Sequence, residues 1–231
     1  MKRSKVARLL RLAEFSDSAF PVGAFSFSNG LETAADRGLV RDAASLEEYV
    51  RTMTVQAALS DGVAALCARR AAAACDLEGV LTADARVWAS KPGDENRRMT
   101  QRMGRKLTEL SERLLADPFA GTWAAAVRGE RTPDCYPVAQ AVLFAAAELD
   151  EESLFASHQY GVANLILSAA LRCVRVSHYD TQAILYRLGD LCDELYREAR
   201  DLTLDDMNLF TPEADVLAAW HEKGNMRMFM N

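Results

Sequence analysis

The 231-residue chain has little of what an extracellular, membrane-spanning or nucleic-acid-binding protein needs. Its five cysteines, Cys67, Cys75, Cys135, Cys173 and Cys192, are odd in number and scattered, with no Cys-x-x-Cys pair. They supply neither a disulfide framework nor a zinc ligand set, and read as free thiols in a reducing cytosol. The three histidines, His158, His178 and His221, lie in three separate segments without metal-ligand spacing. No apolar run approaches the roughly 20 residues that span a bilayer, so no membrane partner is expected. The opening Met1-Lys2-Arg3-Ser4-Lys5 is basic like an export signal, but Arg8 and Arg11 interrupt the apolar stretch behind it, so none is expected. With 27 basic and 33 acidic side chains the net charge is -6, which lacks the positive excess of a nucleic-acid binder. Missing too are a Gly-x-x-x-x-Gly-Lys-Ser/Thr phosphate loop, a Gly-x-Ser-x-Gly elbow and a His-Glu-x-x-His pair. Only 6 prolines and 12 glycines punctuate the chain, and no alternating segment reads as a strand.

What remains is a chain that is 50% hydrophobic and 26% charged, able to bury a sizeable core and rich in Ala, Leu, Glu and Arg. It reads as all-α: a single-domain helical bundle of about ten helices over residues 1–231. The N-terminal segment 1–15 holds a helix over 4–14, with Val6, Leu9, Leu10 and Ala13 on one stripe. Residues 16–30 mix turn formers with aromatics and read as a packed loop, followed by a helix over 31–37 that Gly38 ends. Ser45-Leu46-Glu47-Glu48 has the form of a capping box opening one long helix to 74. Helices follow over 76–90 and 94–115, the latter with a stripe of Met99, Met103, Leu107, Leu110 and Leu114. Beyond Asp117-Pro118 come a helix over 119–127, a polar loop over 128–137, and helices over 138–149 and 151–174. Asp180 caps one to about 200, and Thr211-Pro212-Glu213 starts a last short one.

Catalytic candidates are sparse. His221-Glu222 fits a metal or acid-base pair but reads better as a helix-end pair at a surface or interface. His178 reads as a loop residue between two helices. The pairs Glu151-Glu152 and Asp205-Asp206 read as solvated helix starts. Met99 and Met103 lie at i, i+4 and belong to the core. Met226, Met228 and Met230 instead punctuate an apolar, basic-tipped chain end, which either folds back on its own domain or serves as a docking tail over 222–231. Phe25 and Phe27 beside Glu32 offer aromatic anchors next to a carboxylate. The alternative is that both rings are core and only Ser26, Ser28 and Glu32 face outward.

The segment Phe20-Pro21-Val22-Gly23-Ala24-Phe25-Ser26-Phe27-Ser28-Asn29-Gly30-Leu31-Glu32 resembles the signature of the urease accessory protein F (UreF) family. Three further blocks in the same order resemble that family. They are Asn96-Arg97-Arg98-Met99 to Met103-Gly104-Arg105-Lys106-Leu107, then Ser168-Ala169-Ala170-Leu171-Arg172 with Asp180 and Gln182, and finally His221-Glu222 with Arg227-Met228-Phe229. Where family members often carry Pro-Leu-Gly-Gln, this chain has Arg175-Val176-Ser177-His178. The resemblance implies an all-α, homodimeric, non-enzymatic accessory protein of the cytoplasm. Such a protein bridges a UreD/UreH-like protein and the GTPase UreG, and assists Ni²⁺ delivery to the urease apoprotein. It implies no cofactor of its own, since GTP is bound by the partner. It also implies partner contacts at Phe25, Ser26, Ser28, Glu32, Arg172, Gln182, His221, Glu222, Arg227, Met228 and Phe229, with the C-terminal tail docking to UreD/UreH. Two other readings stay open: a metallochaperone that itself binds nickel, and a helical enzyme using His221-Glu222 or His178.

Overall fold

The computed structural model describes residues 4–91, 93–208, 216, 217, 220, 228 and 229. The helix expected from Thr211 and the residues His221, Glu222 and Arg227 lie outside them. Among the described residues the chain is all-α, with no strand: α1 (Lys5–Ser16), α2 (Leu31–Asp36), α3 (Ala43–Ala57), α4 (Val63–Ala73), α5 (Leu77–Ser90), α6 (Asp94–Leu114), α7 (Pro118–Arg128), α8 (Tyr136–Ala146), α9 (Glu151–Cys173) and α10 (His178–Ala199).

Short polar side chains set where these helices begin. Ser4, Asp76, Asp117 and Asp150 each accept a backbone N–H of the first turn of α1, α5, α7 and α9. The start of α3 differs from the sequence reading. Its N-cap is Asp42, which accepts the Ser45 N–H at 2.9 Å, while Ser45 Oγ accepts the Asp42 N–H at 3.1 Å. Asp42 wins because its carboxylate can take both the N–H and the hydroxyl of Ser45, leaving serine in the returning position of the box. The same box starts α10, with Ser177 as N-cap and Asp180 reaching back, so His178 is the first residue of that helix.

Two cores form. Around α4, α5 and α8, the buried face of α8 runs almost unbroken from Pro137 to Phe144 and meets Val80, Val87, Leu107 and Trp123. The second lies between α2, α3, α9 and α10, with Leu31, Leu46, Val50, Ile166 and Ile184 at its centre. The 23-residue α9 packs against α1, α2, α3, α4, α8 and α10, and so joins the two.

Three expectations change. The apolar stripe of α1 faces outward, with Val6, Leu9 and Leu10 exposed, and Leu12 and Phe15 make its packing contacts instead. The helix expected over 45–74 runs through, but residues 58–62 form a π-turn in its middle. Met103 and Leu107 are core as expected, whereas Met99 is half-buried and Leu114 is exposed.

Candidate functional site

The signature-like segment is held rigid by its own backbone. Gly30 sits at φ 81 and Asn29 at φ 55, both left-handed, and Tyr49 Oη donates to the Asn29 carbonyl at 2.8 Å. A Cβ on Gly30 would meet that hydroxyl at 2.9 Å, so only glycine fits both the turn and the bond. The turn aims the next helix, and Glu32 in the first turn of α2 points its carboxylate at the C-terminal end of the chain. It accepts the Met228 N–H at 2.7 Å and the Phe229 N–H at 3.1 Å. Phe229 is buried in the α2/α3/α9/α10 core, and the Arg172 guanidinium lies 4.2 Å above its ring. Arg172 Nη2 also donates to the Phe25 carbonyl at 3.3 Å. One arginine at the end of α9 thus touches both the signature loop and the chain end. Arg37 covers the Trp220 ring at 4.2 Å in the same region.

Five of the expected contact residues, Phe25, Glu32, Arg172, Met228 and Phe229, meet at this node, with Ser26 and Ser28 in the loop that feeds it. The two signature aromatics divide: Phe25 is 75% exposed and Phe27 is buried. Ser26 is half-buried in a 3₁₀ turn over 24–26. Ser28 and Glu32 face inward rather than outward, because Ser28 Oγ takes the Glu32 N–H and Glu32 takes the tail amides. Met228 stays exposed beside the buried Phe229. Gln182 is elsewhere, on the outer face of α10.

Behind the loop is a cavity of about 220 Å³, lined among others by Phe20, Met53, Met99 and Met103. Sequence reasoning missed its polar wall. The π-turn carries Asp61, whose carboxylate pairs with Lys91 Nζ at 2.7 Å, both side chains about 15% exposed. His158 is buried nearby, and burial holds its imidazole below the ordinary range, with Lys91 adding and Asp61 opposing. The available signal was Ser60-Asp61-Gly62, three turn formers inside an otherwise apolar helical run.

Burial pushes the thiols of Cys67, Cys135, Cys173 and Cys192 above their usual range, which keeps them protonated and poorly nucleophilic. Among the described residues no three His, Cys, Asp or Glu side chains are grouped to hold a metal ion, and no helix is long and apolar enough to cross a membrane.

Comparison with known proteins agrees with the four sequence blocks. The UreF family model matches residues 40–189. Over 223 residues the chain is 46% identical to urease accessory protein UreF 2 of Brucella canis and of Brucella abortus, covering 96% of this chain and 92% of each relative. It is 42% identical to urease accessory protein UreF of Yersinia enterocolitica, covering 96% of this chain and 98% of that relative. With that length of match on a helical frame whose signature loop and chain end meet at Glu32 and Arg172, the chain belongs to the UreF family of urease accessory proteins.

Proposed function

We propose that this chain is a non-catalytic, homodimeric scaffold of the cytoplasm for urease maturation. It bridges a UreD/UreH-like protein and a UreG-like GTPase while Ni²⁺ is delivered to the urease apoprotein. The observation that carries the reading is the node at Arg172. Phe25 on the signature loop and Met228 at the chain end are both exposed, on ground made firm by Glu32, Phe229 and the left-handed turn at Asn29-Gly30. Large apolar side chains held outward on a rigid base are what a protein partner uses as anchors. The chain needs no nucleotide or resident metal for this role. By binding one conformation of a GTPase more tightly than another, it shifts that partner's equilibrium.

The test is truncation after Trp220, which removes Met228 and Phe229. The shortened chain, co-expressed with the UreD/UreH-like protein, is expected to lose co-purification with it. Undiminished co-purification overturns the role given to the tail. Catalytic turnover or stoichiometric Ni²⁺ uptake by the isolated full chain overturns the scaffold reading itself.

A further inference from the structure

The outer face of α10 takes no part in the node or in either core, yet it is unusual for a solvated helix. Tyr179 and Tyr186 are 89% and 88% exposed, while Thr181, Ile184, Leu188, Leu195 and Ala199 bury the opposite side. The two tyrosines stand seven residues apart, which places them on one line about 10 Å apart along the axis. Between them lie Gln182 and Ala183, both exposed and uncharged, while Asp180 and Arg187 each follow a tyrosine in the chain. One and two turns beyond Tyr186 come Asp190 and Glu194, both exposed and without an ion pair among the described residues. The cations on this helix are already engaged: Arg187 pairs with Glu47 at 2.7 Å, and Arg197 pairs with Asp193.

We propose that this α10 face is a docking surface for a basic, arginine-bearing patch on a partner accessory protein, with Tyr179 and Tyr186 as its anchors. The occupant follows from charge and ring chemistry. Unpaired carboxylates beside open aromatic faces attract a guanidinium twice, through the ring quadrupole and through a charge-assisted hydrogen bond. The chain makes the same aromatic contact internally, with Arg172 over Phe229 and Arg37 over Trp220. Exposed carboxylates also steer an oppositely charged partner before contact, an effect that salt screens. The proposal deepens the bridging reading and rests on it.

The experiment measures binding of the full-length chain to the purified UreD/UreH-like protein and, separately, to the UreG-like GTPase. Wild type is compared with Tyr179→Ala/Tyr186→Ala, Tyr179→Phe/Tyr186→Phe and Asp190→Lys/Glu194→Lys. Affinity for one of the two partners is expected to fall about tenfold or more in the alanine and lysine pairs. The phenylalanine pair, which keeps the rings, retains most of it, and the lysine pair loses the salt dependence. Thermal unfolding of all variants stays at the wild-type midpoint, since the side chains are exposed. Alanine-pair binding equal to wild type for both partners overturns the surface alone. So does a change confined to self-association. Failure of the wild-type chain to bind either partner overturns the bridging reading and this proposal with it.

Discussion

Two buried carboxylates in this protein do the same job in different places. Glu32 accepts the consecutive amides of Met228 and Phe229, and Asp84 on α5 accepts those of Asp134 at 2.9 Å and Cys135 at 2.7 Å. Each ties an irregular segment to a helix by giving its orphan N–H groups a charged acceptor. Their surroundings separate them. Asp84 is fully buried, also takes the Thr132 hydroxyl, and lies in a closed knot with Thr108, Trp123 and Asp134. Glu32 lies at the edge of the fold, 8% exposed, and holds residues next to the chain end. A clamp inside the core fixes the fold, whereas the same clamp at its edge can open without unfolding anything else. The comparison therefore predicts global losses at one site and local ones at the other.

The largest loss is expected at Gly104, which brings α6 against the knot. A Cβ there would lie 1.8 Å from the Asp134 carbonyl oxygen, a backbone atom that cannot swing aside. Helix propensity favours Gly104→Ala by about 1 kcal/mol, but the overlap outweighs it. A net loss of about 3 kcal/mol or more in urea unfolding is expected, and an alanine variant as stable as wild type would show that the close approach of α6 to Asp134 does not hold the fold. Asp84→Ala comes next. It strands two backbone amides and a hydroxyl away from water, for which about 2–3 kcal/mol is expected, lost across the whole domain in one transition.

These positions also show what could be read in the sequence. The helix starts behind Asp117-Pro118 and at Asp150 were legible from a proline break and an acidic first turn. The pattern instead puts the caps of α3 and α10 at Ser45 and Asp180, three residues beyond the true N-caps Asp42 and Ser177. Met103 and Leu107 were legible because a buried stripe repeats with the helical period. The outward turn of Val6, Leu9 and Leu10 was not, since periodicity finds an apolar stripe but not what covers it. The motif around Gly104 was visible as a resemblance, yet its physical reason, contact with a carbonyl 30 residues away, belongs to tertiary structure. The same holds for Asp61 and Lys91, paired only once the π-turn exists. At the node, Phe25, Glu32, Arg172 and Phe229 were picked out, while the inward aim of Ser28 and Glu32 depended on where the chain end returns.

The knot carries a pH signature. Burial pushes the Asp134 carboxyl up to about 7, with the Thr108 hydroxyl opposing and the charge of Asp84 adding to the rise. In the unfolded chain the same group ionises near 4. Between those values the folded protein keeps a proton that the unfolded chain has released, so stability falls as pH rises through the window. The slope is at most about 1.4 kcal/mol per pH unit for one proton. Asp84, also raised by burial, acts with the same sign. Unfolding midpoints from pH 5 to 8 are expected to decline more steeply in wild type than in Asp134→Asn, which has no proton to lose. Parallel profiles would mean that Asp134 is already ionised in the fold.

The smallest effect is expected at the node. Glu32→Gln keeps one acceptor oxygen for the two tail amides but loses the charge, which lowers the grip by about 1 kcal/mol. That free energy corresponds to roughly fivefold faster hydrogen exchange at the Met228 and Phe229 amides, if they exchange through local opening. The global midpoint should barely move, because Leu31, Val50, Ile166 and Ile184 hold the surrounding core without the tail. Since Arg172 stacks on Phe229 and donates to the Phe25 carbonyl, release of the tail also unseats one support of the signature loop. Faster exchange should therefore extend to the amides around Phe25, 147 residues from Arg172 in sequence but joined to it by a hydrogen bond. If Glu32→Gln instead lowers the midpoint as far as Asp84→Ala does, the edge clamp is part of the core and the contrast between the two carboxylates collapses. If the tail loosens and the loop does not, Arg172 transmits nothing between them, and the node is two separate contacts that share an arginine.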